Sequence, residues 1–192
     1  MILPGVYDMF NERWGQFQTA HIISDLHFNE DDLKKAFPER PSDEELVKMI
    51  NSKVGRKDIL LILGDCGDLE YVKQLRGYKV LIMGNHDTGS TKYKEVFDEV
   101  YEGALIIGEK LILSHEPVTI PWAYNIHGHD HAGNIHKGHT DVCADVIGYK
   151  PINFNQWLRE GYTSRIQTIH RETIDNATER KRKRGGKKIG EK

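Results

Sequence analysis

The chain has 192 residues, of which 38% are hydrophobic, and a net charge of −2. A single large domain of this composition can bury a core without disulfides or a structural metal, which excludes an intrinsically disordered chain. No apolar run approaches the ~20 residues needed to cross a bilayer, which excludes a transmembrane helix.

Short apolar runs alternate with helical patterns along the chain, as is typical of an α/β protein. The helix expected from residue 42 begins with a capping box, because Ser42 can accept from a backbone amide while Glu45 reaches back. Gly108 and Glu109 predict a tight hairpin turn. In chain order the pattern predicts a strand at residues 21–24, a helix at 42–54, a strand at 59–63, a helix at 68–75, a strand at 79–83, a helix at 92–97, strands at 105–107, 111–114 and 122–126, and helices at 153–159 and 165–178.

The charge of the chain is unevenly distributed. Residues 179–192 carry eight Lys and Arg against two Glu, which leaves the rest of the chain acidic. A segment of like charges with almost no apolar residues cannot bury a core of its own. We therefore expect one folded domain over residues 1–175 and a basic, disordered tail over residues 176–192. The tail either aids solubility or contacts nucleic acid.

Cysteine usage indicates the compartment. Only Cys66 and Cys143 occur, and such sparse usage fits a reducing compartment better than a secreted fold held by disulfides. The first ten residues lack the basic start and apolar stretch of a signal peptide. We therefore expect a cytoplasmic protein that does not bind membranes, and the sequence leaves its oligomeric state open.

Polar side chains follow five of the predicted strands at the point where each strand ends. In open α/β sheets, ligands bind in the crevice beyond the carboxyl ends of the strands. We therefore expect these side chains to meet in one place. In chain order they are Asp25, His27, Asp65, Asn85, His115, His129 and His131.

The chemistry of these seven side chains indicates a metal centre. Carboxylate, imidazole and amide donors without a thiolate suit Mn, Fe, Ni or Zn. Side chains two residues apart in an extended segment point the same way, so Asp25 and His27 can serve one cluster, as can His129 and His131. Seven donors are too many for one ordinary site, and a carboxylate shared between two ions accommodates the excess.

The neighbouring residues have structural interpretations. Gly64, Gly84 and Gly128 directly precede donors and permit a close approach of the backbone. Asp68 is expected to cap a helix, and Cys66 to be a small buried thiol. The histidines expected to lie outside the donor set are His21, His127, His136, His139 and His170.

The chain resembles the calcineurin-like metallophosphoesterases, in particular their small prokaryotic and phage-type members, in a succession of short motifs. These motifs are Asp25-x-His27, Gly64-Asp65, Gly84-Asn85-His86-Asp87, His115 and Gly128-His129-x-His131. The resemblance runs from about residue 21 to residue 131, and more loosely to residue 151. It implies a four-layer α/β/β/α sandwich, in which helices flank two mixed β-sheets and a two-metal site lies at the strand ends.

The resemblance also implies roles for individual residues, with two divalent transition-metal ions, first of all Mn, as cofactors. His86 would protonate the leaving oxygen or stabilise the transition state, and its neighbour Asp87 would orient it. Asp65 would bridge the two ions. One ion would be held by Asp25, His27, Asp65 and His131, and the other by Asp65, Asn85, His115 and His129.

The implied activity is hydrolysis of a phosphodiester or phosphomonoester by a metal-bridging hydroxide. Protein Ser/Thr phosphatases of the superfamily grip phosphate with arginines that residues 64–70 and 83–87 of this chain lack. A small phosphoester or nucleotide is therefore the expected substrate. A catalytically weak scaffold, or a binding protein tethered to nucleic acid by the basic tail, remains the alternative on the same fold. The presence of all seven donors favours the enzyme.

Overall fold

The computed structural model describes residues 12–108, 110–121, 123–133, 136–162 and 176–183. Within them the chain forms two mixed β-sheets with flanking helices, which confirms the fold class expected from the sequence. In chain order the strands are β1 (Ala20–Ile23), β2 (Ile59–Ile62), β3 (Tyr78–Ile82), β4 (Glu99–Tyr101), β5 (Leu105–Ile107), β6 (Leu111–Leu113), β7 (Tyr124–His127), β8 (His139–Asp141) and β9 (Ile152–Asn153). The helices are α1 (Asp31–Ala36), α2 (Asp43–Asn51), α3 (Leu69–Val72), α4 (Ser90–Tyr93) and α5 (Phe154–Arg159).

The topology brings the carboxyl ends of strands from both sheets together. The first sheet has the order β4-β3-β2-β1-β9, with β1 to β4 parallel and β9 antiparallel to β1. The second has the order β5-β6-β7-β8, in which β6, β7 and β8 are parallel. Just beyond β1, Ser24 forms an isolated parallel bridge with Cys143, which follows β8. The loops after β1, β2, β3, β6 and β7 therefore face one crevice.

The strands of the first sheet are apolar on both faces because both faces are covered. Ile22, Leu61 and Val80 lie side by side in register and pack against residues of the second sheet, such as Leu113 and Ile126. The next residues along the strands are Ile23, Ile62 and Leu81, which pack in a second cluster with Leu46 and Ile50 of α2. All ten of these side chains are almost completely buried, and their burial is the main stabilising contribution to the fold.

Local sequence signals locate several elements. Ser42 and Glu45 form the predicted capping box, in which the Ser42 hydroxyl accepts from the amide of Glu45 and the Glu45 carboxylate accepts from the amide of Ser42. Asp68 caps α3 by accepting from the amide of Glu70, as predicted. The strands β5 and β6 pair in antiparallel fashion, as the predicted hairpin requires, and Gly108 has a φ of 63° there. Glu109 lies outside the described residues.

Other expectations need correction. The helix expected at residues 92–97 is the shorter and earlier α4, which begins after Gly89. The strands β4, β8 and β9 and the helix α1 were not predicted, because each of these strands contains polar residues and is not an apolar run, and α1 buries no side chain. Most of the helix expected at residues 165–178 lies outside the described residues.

The basic tail is described only over residues 176–183. These residues are helical and exposed, and the disorder expected for the tail as a whole stays a prediction. Ala177 is a strong helix former, and Lys183 lies 3.7 Å from Glu179 one turn earlier, a spacing that supports an isolated helix. Among the residues that the structure describes, every helix is too short or too polar to span a bilayer.

Candidate metal centre

The structure brings all seven predicted donors to the crevice at the strand ends. Asp25 and His27 lie in the loop after β1, and Asp65 lies in the loop after β2. The remaining donors follow β3, β6 and β7 and are Asn85, His115, His129 and His131. Their donor atoms form two groups, named site A and site B below.

Site A consists of donor atoms from Asp25, His27, Asp65 and His131. The Nε2 atom of His27 lies 3.7 Å from Asp25 Oδ1 and 3.7 Å from Asp65 Oδ2. The Nε2 atom of His131 lies 3.8 Å from Asp25 Oδ1. Such separations suit donors that surround a common point, since each atom can then lie ~2.0–2.2 Å from an ion between them.

Site B consists of donor atoms from Asp65, Asn85, His115 and His129. The Nε2 atom of His115 lies 3.3 Å from Asp65 Oδ2 and 2.7 Å from Asn85 Oδ1. The Nδ1 atom of His129 lies 3.1 Å from Asn85 Oδ1 and 3.2 Å from His115 Nε2. One oxygen, Asp65 Oδ2, therefore borders both sites.

Unsatisfied polar atoms indicate that the crevice fits a cation. Asp25 and Asp65 are 0% and 2% exposed, and His27 is 4% exposed. Asp25 Oδ1 and His27 Nε2 are buried and have no hydrogen-bond partner among the described residues. An unpaired buried polar atom costs ~1–3 kcal/mol, and a cation bound between these two adjacent atoms would satisfy both of them. The donors at both sites fit divalent metal ions.

The electrostatic environment agrees with this conclusion. Burial lowers the pKa of His115, but the hydrogen bond to Asp65 and the charges of Asp25 and Asp65 outweigh burial and raise that pKa to about 9. Burial raises the pKa of Asp65, but the hydrogen bond and charge of His115 outweigh it and hold that pKa below its usual value. Asp65 therefore stays ionised at neutral pH, and a divalent cation must displace the proton of His115 in order to bind at site B.

Strained backbone positions the donors. Asp25, His27, Asp65 and His129 have φ angles of 58°, 42°, 51° and 71°, in the left-handed region that residues with a side chain rarely adopt. The convergence of Asp25 with His27 therefore comes from two left-handed residues and not from the extended segment that the sequence analysis assumed. Strain of this kind costs ~1–3 kcal/mol per residue and typically clusters at functional sites.

Two of the predicted glycines are required because the chain packs tightly there. A Cβ atom on Gly128 would lie 2.0 Å from Ser24 Oγ and 2.3 Å from Asp25 Oδ2. A Cβ atom on Gly84 would lie 2.2 Å from Asp65 Oδ1. Any larger residue at either position would displace a carboxylate of the site.

His86 and Asp87 lie beside the donors but in different environments. The His86 ring is exposed at the mouth of the crevice, with its centroid 5.2 Å from that of His27. The expected contact between Asp87 and His86 is wrong, because the buried Asp87 carboxylate faces backbone amides instead. It accepts from Asp65 N at 2.8 Å, from Gly84 N at 2.9 Å and from Cys66 N at 3.3 Å. Asp87 therefore fastens the β2 and β3 loops to each other.

Two carboxylates that the sequence analysis missed contact the histidines of site A. Glu30 Oε2 lies 2.7 Å from His27 Nδ1, and Asp145 Oδ2 lies 2.8 Å from His131 Nδ1. Burial raises the pKa of Asp145, but the hydrogen bond of His131 and the charge of Arg40 outweigh it and lower the pKa to about 2. Asp145 lies in the looser part of the resemblance, beyond residue 131, and this resemblance was the available signal.

Most of the remaining residues have the structural roles expected of them. Cys66 is a buried free thiol whose Sγ lies 3.4 Å from Asp87 Oδ1. His127 is buried outside both sites, and its Nδ1 lies 2.7 Å from Gly128 O. His21 lies 3.4 Å from Asp58 at the other end of β1. His136 and His139 lie outside both sites, and His170 is outside the described residues.

A cleft opens on each side of the donors. One has a volume of about 320 Å³ and is lined by Met83, Asn85, His115 and Val118 among others. The other has a volume of about 420 Å³ and includes Phe37, His129, His131 and His136. Volumes of this order accommodate small molecules.

Comparisons with known proteins show what this chain is similar to. Residues 19–184 match the family model described as calcineurin-like phosphoesterase. The crystal structure of a protein of unknown function from Aquifex aeolicus is similar, with 26% identity and a TM-score of 0.62 over 72% of this chain and 96% of that one. A Pseudomonas putida nuclease shares 21% identity, with a TM-score of 0.35 over 58% of this chain and 60% of the other. No curated protein sequence matches the chain.

Proposed function

The chain belongs to the calcineurin-like phosphoesterase family, and from this premise we propose that it hydrolyses a phosphodiester or phosphomonoester at a centre of two divalent metal ions. The observation that carries the proposal is the position of Asp65 Oδ2, 3.7 Å from a histidine nitrogen of site A and 3.3 Å from one of site B. A carboxylate oxygen between two sets of donors can bridge two ions.

Each residue has a defined task in this proposal. Asp25, His27 and His131 would hold one ion, and Asn85, His115 and His129 would hold the other. The two ions would supply Lewis acidity toward the phosphoester and would lower the pKa of water enough for it to attack at neutral pH.

His86 supplies the proton that the reaction needs. Its exposed ring can reach a substrate at the mouth of the crevice, and its backbone amide donates to Asp65 Oδ1 at 2.9 Å. This bond holds the backbone of His86 beside the bridging carboxylate. A ring nitrogen of His86 then donates a proton to the departing alkoxide, a contribution of ~10²–10⁴-fold for a general acid.

The clefts beside the donors support a small phosphoester or a nucleotide as the substrate. Their volumes of about 320 and 420 Å³ suit small substituents on the phosphorus atom better than a folded phosphoprotein. Manganese is the metal that we propose first, with Fe, Ni and Zn as the other candidates, since the donors are oxygen and nitrogen atoms.

The test is a hydrolysis assay with protein that has been stripped of metal and reloaded with Mn²⁺. The substrates are 4-nitrophenyl phosphate, bis(4-nitrophenyl) phosphate, and linear and cyclic nucleotides. We expect turnover of at least one ester by the unaltered protein. In Asp65→Asn we expect both the turnover and the binding of the two ions to be lost. Two bound ions without turnover of any ester would favour the scaffold alternative, and full turnover by Asp65→Asn would contradict the bridging role.

A second assay tests the role of His86. In His86→Ala we expect both ions to remain bound and phenyl phosphate, whose leaving group is poor, to lose more turnover than 4-nitrophenyl phosphate. A good leaving group needs less help from an acid. Equal losses for the two esters would contradict the assignment of His86 as the acid.

The basic tail supports an additional proposal, that it tethers the enzyme to nucleic acid. Residues 176–183 expose Arg180, Lys181, Arg182 and Lys183 on a short helix. Contacts of these side chains with phosphates would make the binding sensitive to salt. Removal of residues 176–192 is expected to weaken binding to a single-stranded oligonucleotide at low salt and to leave hydrolysis of small esters unchanged. Equal affinities for the full and shortened chains would contradict tethering.

A further inference from the structure

The two sites differ in the groups that contact the ring nitrogens of their histidines on the side away from the donor atoms. In site A, His27 Nδ1 lies 2.7 Å from Glu30 Oε2, and His131 Nδ1 lies 2.8 Å from Asp145 Oδ2. In site B, His115 Nδ1 lies 2.8 Å from a backbone oxygen, that of Leu63. Both histidines of site A are therefore paired with carboxylates, whereas His115 is paired with a neutral carbonyl.

Asp145 is itself held in place within the protein. The side chains of Asp145 and Arg40 are 3% and 1% exposed. Arg40 Nη1 donates to Asp145 Oδ1 at 2.7 Å and to Oδ2 at 2.6 Å, and Tyr149 Oη donates to Oδ1 at 3.0 Å. With these bonds and that of His131, the buried carboxylate is well satisfied, so its position is determined by the fold.

Arg40 also connects this carboxylate to the loop that carries the other donors of site A. Its Nη2 donates to the carbonyl oxygen of Asp25 at 2.8 Å and to that of Leu26. Asp25 is one of the residues with a left-handed backbone. One guanidinium thus fixes both the strained Asp25 and the carboxylate behind His131.

We propose that Glu30 and Asp145 are positioning residues for site A, which hold His27 and His131 through Nδ1 and so strengthen the binding of the ion at that site alone. The proposal rests on the proposed function, since it takes the two sites to be metal sites. Arg40 supports it by keeping Asp145 in place.

The physical reason lies in the tautomer of each ring. A carboxylate beside Nδ1 accepts a hydrogen bond from it. Nδ1 therefore carries the hydrogen, and Nε2 presents its lone pair to the site. The carboxylate also makes Nε2 a stronger donor and restricts rotation of the ring. Removal of such a partner typically weakens metal binding by ~10–100-fold.

The experiment is calorimetric titration of metal-free protein with Mn²⁺. In Asp145→Asn we expect one of the two ions to bind ~10–100-fold more weakly and the other to bind as in the unaltered protein. His129→Ala, which disrupts site B, identifies the affected ion. In that background Asp145→Asn is expected to weaken the remaining ion, whereas in the His131→Ala background it is expected to leave the remaining ion unchanged.

The control is another aspartate beside a buried histidine. Asp58 lies 3.4 Å from His21 Nε2, far from both sites, and its side chain is 12% exposed. Asp58→Asn makes the same chemical change and is expected to leave both Mn²⁺ affinities unchanged. General loosening of the fold would instead weaken both ions in Asp145→Asn.

Glu30→Gln makes the proposal testable if Asp145→Asn fails to fold. Glu30 is 33% exposed at its side chain, so its replacement does not leave a buried charge unpaired. This substitution is expected to weaken the binding of Mn²⁺ at site A by ~10–100-fold, as in Asp145→Asn. The positioning role is overturned if the unaltered protein binds two ions and Glu30→Gln and Asp145→Asn, where they fold, bind both ions with unchanged affinity. If the unaltered protein binds fewer than two ions, the proposed function fails instead.

Discussion

Two carboxylates of the first sheet, the half-buried Glu99 and the fully buried Asp25, follow opposite rules. Glu99, at the amino end of β4, accepts hydrogen bonds from four side chains, and both of its oxygens are occupied. The donors are Arg13 at 2.8 Å, Trp14 at 3.2 Å, Tyr78 at 3.1 Å and Tyr101. Asp25, beyond the carboxyl end of β1, is more deeply buried, yet its Oδ1 has no partner among the described residues.

This difference in hydrogen bonding separates a residue that stabilises the fold, Glu99, from a residue that the fold holds in place for binding, Asp25. A carboxylate with a full set of donors contributes to stability through both of its oxygens, whereas the unpaired Oδ1 of Asp25 gains a partner only when a ligand binds. Asp25 also has a left-handed backbone, a further local cost. The amino end of the sheet is therefore built for stability, and the carboxyl end for binding.

The sharpest test of this comparison is Asp25→Asn. An amide at this position donates toward His27 and His131 and removes charge from site A, so the ion there is lost. We expect the hydrolysis rate to fall at least ~100-fold, because several kcal/mol of transition-state stabilisation is lost. The unfolding free energy of the metal-free protein is expected to change by less than ~1 kcal/mol, because the oxygen that is replaced had no partner.

Enzyme assays and urea unfolding in EDTA measure the two quantities. A loss of several kcal/mol from the metal-free protein would mean that Asp25 stabilises the fold as Glu99 does. The distinction between the two ends of the sheet would then be wrong.

The same distinction determines what the sequence could predict. The seven donors were found because each stands where an apolar run ends, and parallel strands bring such ends together. The strands β1, β2 and β3 were predicted for a related reason, since strands covered on both faces are continuous apolar runs. Both features are encoded locally and repeat in several strands.

Features that depend on distant partners were missed. Asp87 was assigned to its neighbour His86, but two of the amides that it accepts from belong to another loop, 21 and 22 residues earlier in the chain. Asp145 meets Arg40 across 105 residues, and no local pattern indicates that pair. Left-handed backbone at Asp25 and Asp65 is likewise imposed by the surrounding fold and has no glycine to indicate it.

Gly128→Ala tests how tightly the carboxyl end is packed. The added Cβ would overlap Ser24 Oγ and Asp25 Oδ2, at 2.0 and 2.3 Å. We expect a loss of ~2–3 kcal/mol in unfolding free energy and weaker Mn²⁺ binding, because Asp25 must move. Gly103→Ala is the control, since a Cβ there meets nothing within 4 Å, and it is expected to change stability by less than ~0.5 kcal/mol. Equal effects of the two substitutions would contradict the tight packing.

Glu99→Gln tests the amino end. The amide keeps the shape of the side chain but loses the charge that Arg13 faces, and its NH₂ group meets donors where an oxygen accepted. We expect a loss of ~1.5–2 kcal/mol at pH 7 in urea unfolding, the scale of hydrogen bonds to a charged group. Mn²⁺ affinity and turnover are expected to stay unchanged, because the side chains that Glu99 contacts belong to neither site. A loss of turnover with unchanged stability would reverse the comparison.

The pH dependence of that loss identifies its cause. Burial raises the pKa of Glu99, but hydrogen bonds from Tyr101, Arg13 and Trp14 outweigh burial and hold it below its usual value. The unfolded chain, with a glutamate pKa near ~4.3, therefore takes up a proton before the folded one does as the pH falls. The stabilisation from Glu99 is complete above that value and disappears as the pH falls through the lower pKa of the folded state. Hence the difference in unfolding free energy between the unaltered protein and Glu99→Gln is expected to be constant from pH 6 to 8 and to shrink below about pH 4. A difference that stayed constant into acid would mean that the shape of the glutamate side chain, and not its charge, stabilises the amino end of the sheet.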